Sequence, residues 1–489
     1  MQHQSGIQKL ASGRFRLLLP VALILGSLLL SAVVAILPNG YLLIAGLLAL
    51  IIVIFTIRYP VIGFYISLLF SFFIFDFVRF TGTDLPLVSL LDIYIYITFF
   101  GVVVNKLVKR EKFWLHCNSI IVFMYVLVLL YFLLQFFNPN GGSRELYFLV
   151  SRRYIALLLL FYVAIQLFRT GRDIKRFFKV FLILSVICGL YAVYQHFFGM
   201  MRYEFDAMFR DPELQKVAME FMQIGRLRQF SFLSDCTAFG LLMAATAIIP
   251  LIMLLQMRWK PIIRIGLWIS LVVLILAMSY SGTRTATVML LGEIGLYACI
   301  TLNHRKTLIL SVIVGVGLVA ILLLPSYGNQ TIARLKTTFD SEDASLNVRD
   351  ANRKNIQPYI YSHPIGGGIR TTGGVFEEYN RGHPLAGFPT DSGLLTLALE
   401  TGWIGLLLQC VTYFIFLQQG IHYYFRSRSR VYKSILLAST VFLFGYVIAQ
   451  YSQVATSQIP GSIAFYSLLA VIIRLPQIEA AEEETLKEI

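Results

Sequence analysis

Long apolar runs separated by short polar loops occupy most of the chain. A run of roughly 17 to 25 apolar residues is long enough to cross a membrane as a helix. About fourteen such runs follow one another along the sequence. They are Leu17–Leu37, Tyr41–Ile57, Val61–Val78, Val88–Val104, Ile120–Phe137, Phe148–Phe168, Val180–Phe198, Thr237–Gln256, Ile265–Tyr280, Thr285–Leu302, Thr307–Leu324, Gly393–Leu417, Ile435–Tyr451 and a short last run near Ser462–Ile473. The pattern predicts an all-α polytopic membrane protein with about fourteen transmembrane helices.

The distribution of lysine and arginine over the loops predicts the orientation of these helices. Basic loops stay on the cytoplasmic side of a membrane, and here every second loop, beginning with the N-terminal segment, is basic. Both termini are therefore predicted to be cytoplasmic. The chain then divides into a transmembrane bundle (1–198), an outer loop (199–236), further spans (237–324), a large outer loop (325–390), the last spans (391–475) and an acidic cytoplasmic tail (476–489). Because long structured loops usually carry function, we expect the chemistry on the outer side.

Composition supports this class and excludes others. Hydrophobic residues make up 57% of the 489 residues and charged residues 14%, with a mean hydropathy of +0.74. A soluble domain carries roughly 25% charged residues, so a cytosolic globular enzyme and a disordered chain are excluded. The net charge of +15 follows the alternation of basic loops, and therefore does not predict a nucleic-acid partner.

Cysteines and histidines show no metal-binding pattern. The five cysteines and seven histidines are dispersed, without a C-x-x-C or H-E-x-x-H motif. The sequence also has no P-loop and no G-x-G-x-x-G motif. We therefore expect neither a metal nor a cofactor.

Several arginines fall in predicted outer loops, where basic residues are disfavoured. They are Arg144, Arg152, Arg153, Arg226, Arg228, Arg284, Arg349, Arg353, Arg370 and Arg381. A charge at the membrane edge is costly and is usually balanced by a partner or a ligand. Since the planar guanidinium group suits bidentate binding of phosphate, we expect a pocket for an anionic, lipid-borne substrate. The alternative for a single arginine is pairing with an outer acid or with phospholipid headgroups.

Three of these arginines are distinguished by their local sequence. Arg284 ends a tight hairpin, Ser281-Gly282-Thr283-Arg284, between two apolar runs. Arg349 and Arg353 are four residues apart, so a helix would place both on one face. The alternative for this pair is an ordinary solvated helix face.

Several short motifs in the second half of the chain carry a family resemblance. They are His363-Pro364-Ile365-Gly366-Gly367-Gly368, Asp391-Ser392-Gly393-Leu394-Leu395 and Glu400-Thr401-Gly402-Trp403-Ile404-Gly405, with the hairpin Tyr280–Thr285 and the segment Arg226–Phe232 before them. In this order they resemble the signature of the O-antigen ligase and polymerase superfamily. The likeness covers roughly Tyr191 to Gly405.

The resemblance implies a metal-independent membrane glycosyltransferase in the bacterial inner membrane, with its active site facing the periplasm or exterior. Such an enzyme moves a glycan from an undecaprenyl-diphosphate carrier to a sugar hydroxyl, among membrane lipids and other polysaccharide assembly and export proteins. Arg228, Arg284 and Arg353 match the family's phosphate-binding arginines, and Arg349 is a fourth candidate. Arg370, Arg152 and Glu400 complete the predicted set of residues that bind diphosphate or glycan.

The residue that takes the acceptor proton is predicted from the start of the span at Gly393. Ligases of this superfamily carry a His-Asn pair there, whereas this chain has Asp391 and Ser392. This difference favours a polymerase, whose acceptor is another lipid-linked repeat unit. Asp391 is one candidate for the general base, and the alternative is that Thr390 or Asp391 only caps the helix. His383 and His363 are the other candidates.

Three alternatives remain open. An O-antigen ligase would transfer the glycan to a lipid acceptor, and a purely structural partner of an export complex would share the spans. A flippase or exporter for lipid-linked oligosaccharides should show internal repeats and charges along the middle of its spans. We find no repeat, and mid-span acids are few: Asp76, Asp92, Glu293 and Glu400.

Overall fold

The computed structural model describes residues 40–82, 86–210, 222–223, 226–323, 336, 344–374, 377–390 and 392–487. Helices α1 to α15 are Gly40–Arg58, Pro60–Thr81, Leu87–Lys109, Ile120–Leu134, Arg144–Leu167, Gly171–Phe198, Arg202–Phe209, Cys236–Gln256, Pro261–Tyr280, Arg284–Ile300, Arg305–Leu323, Ala344–Ser362, Gly393–Arg426, Arg430–Ala449 and Gly461–Lys487. Strands β1 (Met222–Gln223) and β2 (Arg226–Leu227) form a small antiparallel hairpin. Short 3₁₀ turns lie at Gln135–Phe137, Glu378–Asn380 and Ala455–Ser457.

The predicted all-α polytopic membrane fold is confirmed. Within the described residues, 10 helices are long and apolar enough to cross a membrane. A helix occupies every predicted run from Tyr41 onward, while the first run, Leu17–Leu37, lies outside the described residues. The total of about fourteen spans and their orientation stay predictions.

Polar side chains define where the helices begin. The hydroxyl of Thr170 and the carboxylate of Asp173 form a capping box at the start of α6. The carboxylate of Asp235 accepts hydrogen bonds from the backbone N–H groups of Thr237 and Ala238 at the start of α8. These caps satisfy backbone donors that have no partner inside the helix, and so the short loops between spans have fixed ends.

Two helices form the centre of the bundle. Burial within the protein reaches 83% of the apolar window of α8 and 89% of that of α15, but only 22% of the span Ile120–Phe137. A helix that is apolar on all sides and buried among other helices is the expected core of a membrane protein. The last helix is also longer than the run Ser462–Ile473 from which it was predicted, because the acidic residues after Arg474 continue it to Lys487.

Candidate active site at one end of the helix bundle

A short turn, Gln450–Gln453, forms hydrogen bonds with the first residues of both α10 and α13. The hydroxyl of Ser452 lies 2.8 Å from the hydroxyl of Thr285, the second residue of α10. The carbonyl oxygens of Gln450 and Gln453 accept hydrogen bonds from the first two N–H groups of α13, each at 3.2 Å. The ends of α10 and α13 that are predicted to face outward therefore meet at this turn.

Arg353 attaches α12 to the same turn. One terminal nitrogen donates to the hydroxyl oxygen of Tyr451 at 2.7 Å, and the other donates to the Tyr451 carbonyl oxygen at 3.0 Å. The guanidinium carbon lies 4.3 Å from the centre of the Tyr451 ring, a cation–π geometry. Asp350, on the same helix, is 3.5 Å away and largely exposed. The side chain of Arg353 is only 24% exposed, so its position is fixed on several sides.

Arg228 holds the hairpin that precedes α10. Its Nε donates to the carbonyl oxygen of Ser281 at 2.9 Å, and a terminal nitrogen donates to the hydroxyl of Thr283 at 3.0 Å. The Thr283 hydroxyl in turn donates to the carbonyl oxygen of Cys236 at the start of α8. Arg284 follows directly as the first residue of α10 and is partly exposed. Arg228, Arg284 and Arg353 are thus connected through the hairpin and the turn Gln450–Gln453.

The glycine-rich segment packs into a break in α13. Gly402 has φ 70° and ψ 179°, which interrupts the helix. The N–H groups of Gly367 and Gly368 donate to the carbonyl oxygens of Leu399 and Glu400 at 2.8 and 2.9 Å. A Cβ at Gly402 would lie 1.9 Å from the carbonyl oxygen of Pro364. Because both the positive φ and this close approach require glycine, the two glycine motifs fold as one unit.

The side chain of Glu400, on α13, binds the glycine-rich segment. Its side chain is buried, and Oε1 accepts a hydrogen bond of 2.7 Å from the hydroxyl of Thr372. The Arg370 side chain also acts on the carboxylate electrostatically. The buried carboxylate thus has a hydrogen-bond donor and a cation from the same loop. The structure therefore places Glu400 close to Arg370 of the glycine-rich segment.

His383 uses both ring nitrogens to hold the backbone. Its Nδ1 accepts a hydrogen bond from the N–H of Leu385 at 3.1 Å, so the proton of the neutral ring is on Nε2. Nε2 lies 2.9 Å from the carbonyl oxygen of Asn140 and donates to it. In this arrangement no ring nitrogen is available to take a proton from a substrate.

His363 presents a different arrangement at the end of α12. Its ring stacks on that of Tyr359 with 3.9 Å between centres, and Nδ1 lies 2.9 Å from the Tyr359 carbonyl oxygen. The Ser362 hydroxyl lies 2.9 Å from the same Nδ1. A hydrogen bond to the Tyr359 carbonyl requires the proton on Nδ1, which leaves the lone pair on Nε2. His363 is ten residues beyond Arg353, roughly 15 Å along the helix at 1.5 Å per residue. Arg353 and His363 are therefore well separated.

The cap of α13 is Ser392, and the interpretation of Thr390 or Asp391 as the cap is wrong. The Ser392 hydroxyl accepts from the N–H of Leu395 at 3.3 Å and donates to the carbonyl oxygen of Gln450 at 3.2 Å. Serine and aspartate cap helices about equally well, so the sequence did not distinguish adjacent positions. Asp391 itself lies outside the described residues, directly before Ser392 in the chain.

Arg152 has a buried acid as its partner. Its Nε lies 3.3 Å from one oxygen of Asp92, and Arg153 contacts the other oxygen at 2.5 Å. Asp92 is fully buried, and Arg153 also donates to Ser462 at 3.1 Å. This group ties α3, α5 and α15 together and corresponds to the alternative of pairing with an acid. The side chain of Arg349, on α12, lies outside the described residues.

The sequence argument missed a second polar cluster that holds the segment carrying Arg228. The Arg79 guanidinium lies 4.5 Å from the ring centre of Phe230 and donates to the carbonyl oxygen of Leu233. The neighbouring Tyr203 hydroxyl donates to Asp76 at 2.9 Å, and burial raises the pKa of Tyr203 to about 12. The signal was present, because Asp76 and Arg79 are three residues apart in an apolar run and share a helix face.

Glu204 belongs to the same cluster. One oxygen accepts from the side-chain amide of Gln195 and the other from the N–H of Met201, both at 2.9 Å. Burial raises the pKa of Glu204. Gln195 also accepts from the N–H of Ser231 at 3.0 Å, so the cluster fixes the chain immediately after Arg228. Within the described residues, His, Cys, Asp and Glu side chains form no group of three that could hold a metal ion.

These features define a polytopic membrane protein in which three separated segments that carry arginines contact one another at one end of an all-helical bundle. Residues 269–410 match the family model described as O-antigen ligase. The match confirms the resemblance and supports an enzyme of the ligase or polymerase type in general terms. It includes the hairpin, the glycine-rich segment and the break in α13, whereas Arg228 and the turn Gln450–Gln453 lie outside it. No curated protein matches the chain.

Proposed function

We propose that the protein is a glycosyltransferase that polymerises undecaprenyl-diphosphate-linked repeat units on the outer face of the bacterial inner membrane. The product would be a cell-surface polysaccharide or an exopolysaccharide. One observation carries the proposal: Arg228, Arg284 and Arg353, far apart in sequence, are connected through a single hairpin and the turn Gln450–Gln453. The family match over residues 269–410 supports the reaction type.

The proposed reaction needs charge stabilisation and alignment. The bond between the anomeric carbon of the donor glycan and the diphosphate oxygen breaks, and the electron pair stays on the carrier diphosphate. A bond forms between the same carbon and the acceptor hydroxyl oxygen, whose proton passes to a base on the protein. Arginines held in place by Tyr451 and by the hairpin can stabilise the departing diphosphate without rearrangement, while the site aligns the acceptor hydroxyl.

Two residues remain as candidates for the base. His383 is the weakest of the predicted three, because both of its ring nitrogens bind backbone groups. His363 has an unprotonated Nε2 on a ring whose orientation is fixed by Tyr359. Asp391 precedes Ser392, which contacts the turn that also binds Arg353. We favour Asp391 because of this connection to the arginines.

A ligase is the second candidate function, because the matching family model is described as O-antigen ligase. Aspartate and serine at positions 391 and 392, in place of the His-Asn pair of ligases, favour a polymerase. The two functions differ in the acceptor, which is another lipid-linked repeat unit for a polymerase and a separate glycolipid for a ligase.

One experiment tests the proposal and separates the two functions. Purified protein is incubated with a single lipid-linked repeat unit, and the products are resolved by size. A ladder of products that is absent with Arg353→Ala supports a polymerase. Transfer that occurs only after a separate glycolipid acceptor is added assigns a ligase. No transfer with either acceptor, by protein that is folded and membrane-inserted, contradicts glycosyl transfer.

A further inference from the structure

A cavity of about 340 Å³ lies at the opposite end of the bundle from the turn Gln450–Gln453. It is formed where the loop after α3 meets the end of α5 and the later turns of α15. Its polar lining consists of Glu111, His116, Gln166, Arg169, Arg474 and Gln477. The loop alternation predicts that this end faces the cytoplasm, so the cavity is separate from the proposed active site.

The charge beside this cavity is mainly positive and poorly balanced. Arg474 is only 3% exposed, yet its partners are the Phe168 carbonyl oxygen at 3.0 Å and the Gln477 amide oxygen at 2.5 Å. Lys106, also buried, donates to a backbone carbonyl at 2.8 Å. Among the residues that the structure describes, Arg474, Lys106 and Arg169 form no ion pair. Buried cations without counter-charges are costly, and the carbonyl dipoles neutralise them only in part.

Arg169 and His116 direct further donors toward the cavity. The Nε of Arg169 donates to the carbonyl oxygen of Gln166 at 3.4 Å, which leaves its two terminal nitrogens for a ligand. The imidazole of His116 has no hydrogen-bond partner within the described residues. Burial lowers the pKa of His116, and the nearby charges of Arg474, Lys106 and Arg169 lower it further. Glu111, the acidic residue of the lining, acts in the opposite direction on His116 and is outnumbered.

The loop beside the cavity has the character of a membrane interface. Trp114 is 64% exposed, and Phe113 and Leu115 are also exposed. Tryptophan is enriched at the boundary between lipid headgroups and water. The cavity therefore lies where phosphate groups of phospholipids are abundant, and its volume is within the usual range for small-ligand sites.

We propose that this cavity binds a phosphate group, carried either by an anionic phospholipid headgroup or by a soluble phosphate compound. The terminal nitrogens of Arg169 provide the bidentate geometry that phosphate oxygens favour, and Arg474 adds a second positive charge to the lining. His116, once protonated beside the anion, adds another donor. The bound phosphate supplies the negative charge that the buried cations lack.

Binding can be measured directly on the purified full-length protein in detergent. Native mass spectrometry follows retention of phosphatidylglycerol against phosphatidylcholine, and thermal unfolding follows the effect of inorganic phosphate and diphosphate. Arg169→Gln removes one of the cations that line the cavity and should weaken binding about tenfold. Arg172→Gln makes the same charge change in the first turn of α6, on an exposed residue that does not line the cavity, and should leave binding unchanged.

The outcomes distinguish the sources of the phosphate. Retention of phosphatidylglycerol that Arg169→Gln abolishes assigns a lipid headgroup, whereas a phosphate-dependent rise in melting temperature that Arg169→Gln abolishes, without lipid retention, assigns a soluble compound. If Arg169→Gln does not fold, His116→Asn is the second variant and should weaken the same binding. The proposal is overturned if wild-type protein binds neither probe, or if Arg172→Gln weakens binding as much as Arg169→Gln. Because the readout is binding, the result is independent of glycan transfer.

Discussion

The two terminal nitrogens of Arg353 both hydrogen-bond to Tyr451, one to its hydroxyl oxygen and one to its carbonyl oxygen, while the guanidinium group lies over the ring. One residue therefore sets both the position and the plane of the guanidinium group. The turn that carries Tyr451 also contacts the starts of α10 and α13. In the proposed reaction, Tyr451 is a positioning residue that acts through Arg353.

Tyr451→Phe removes the hydroxyl and keeps the ring. We expect glycan transfer to fall by roughly tenfold to a hundredfold, since one hydrogen bond to a charged group contributes about 1.5 to 3 kcal/mol. The decrease should be in kcat, measured from product ladders with a lipid-linked repeat unit, with little change in melting temperature. Tyr361→Phe, an exposed tyrosine on the helix of Arg353, is the control. Equal activity of Tyr451→Phe and wild type would show that the orientation of Arg353 does not matter.

Arg228→Lys preserves the positive charge but removes the guanidinium group, which donates to both Ser281 and Thr283. A lysine is a point donor and cannot make both contacts in the same geometry. We expect transfer to fall by about tenfold or more, with folded protein still in the membrane. Arg202→Lys changes a fully solvated arginine and should retain wild-type activity. Full activity of Arg228→Lys would show that the two hydrogen bonds from Arg228 to the hairpin are not needed for transfer.

Gly402→Ala tests the junction between the glycine-rich segment and α13. The new Cβ would collide with the carbonyl oxygen of Pro364, and alanine disfavours a φ of 70°. Strain of this kind costs on the order of 1 to 3 kcal/mol before the collision is added, so the melting temperature should fall clearly. Gly295→Ala is the control, because no atom lies within 4 Å of the added Cβ. A melting temperature for Gly402→Ala equal to that of wild type would contradict the described packing.

Asp391→Asn and His383→Asn should fail in different ways. Asparagine at position 391 cannot accept a proton as a carboxylate does, and Ser392 already caps α13. We therefore expect Asp391→Asn to keep its melting temperature and to lose product formation. His383→Asn breaks two backbone hydrogen bonds and should lower stability by roughly 1 to 3 kcal/mol. If Asp391→Asn is active, His363→Gln becomes the decisive variant, and its loss of activity at an unchanged melting temperature would assign the base to His363.

The predicted orientation can be checked by labelling single cysteines with an impermeant thiol reagent. Exposed Cys299 and Cys410 are first replaced by serine. A cysteine at the exposed position of Glu378 should react in intact cells, and one at the exposed position of Arg428 should react only after lysis. Reaction of both from the same side would overturn the placement of the active site on the outer face.

The sequence predicted the helices well because membrane spans are continuous apolar runs that need no long-range information. Two of the motifs that the sequence distinguished, at Gly366 and Gly402, pack against each other in the structure. The contacts of the turn Gln450–Gln453 could not be predicted. Tyr451 was only the end of an apolar run, and nothing local indicates which helices meet there. The partner of Arg152 was hidden for the same reason, since Asp92 lies sixty positions earlier on another helix.

The break in α13 also constrains how the protein is made. The carbonyl oxygens of Leu399 and Glu400 accept hydrogen bonds from the N–H groups of Gly367 and Gly368. The N–H of Ile404 donates to the carbonyl oxygen of Pro364. A polar loop thus supplies the hydrogen bonds that the helix lacks at its break, and such bonds have to come from the protein wherever lipid surrounds a helix. During synthesis the glycine-rich loop is made before α13, so it can pack against that helix only after the helix has also been made. Maturation of this span after insertion is therefore a docking event between two segments, and a chain truncated before Gly393 would leave the glycine-rich loop without its binding surface.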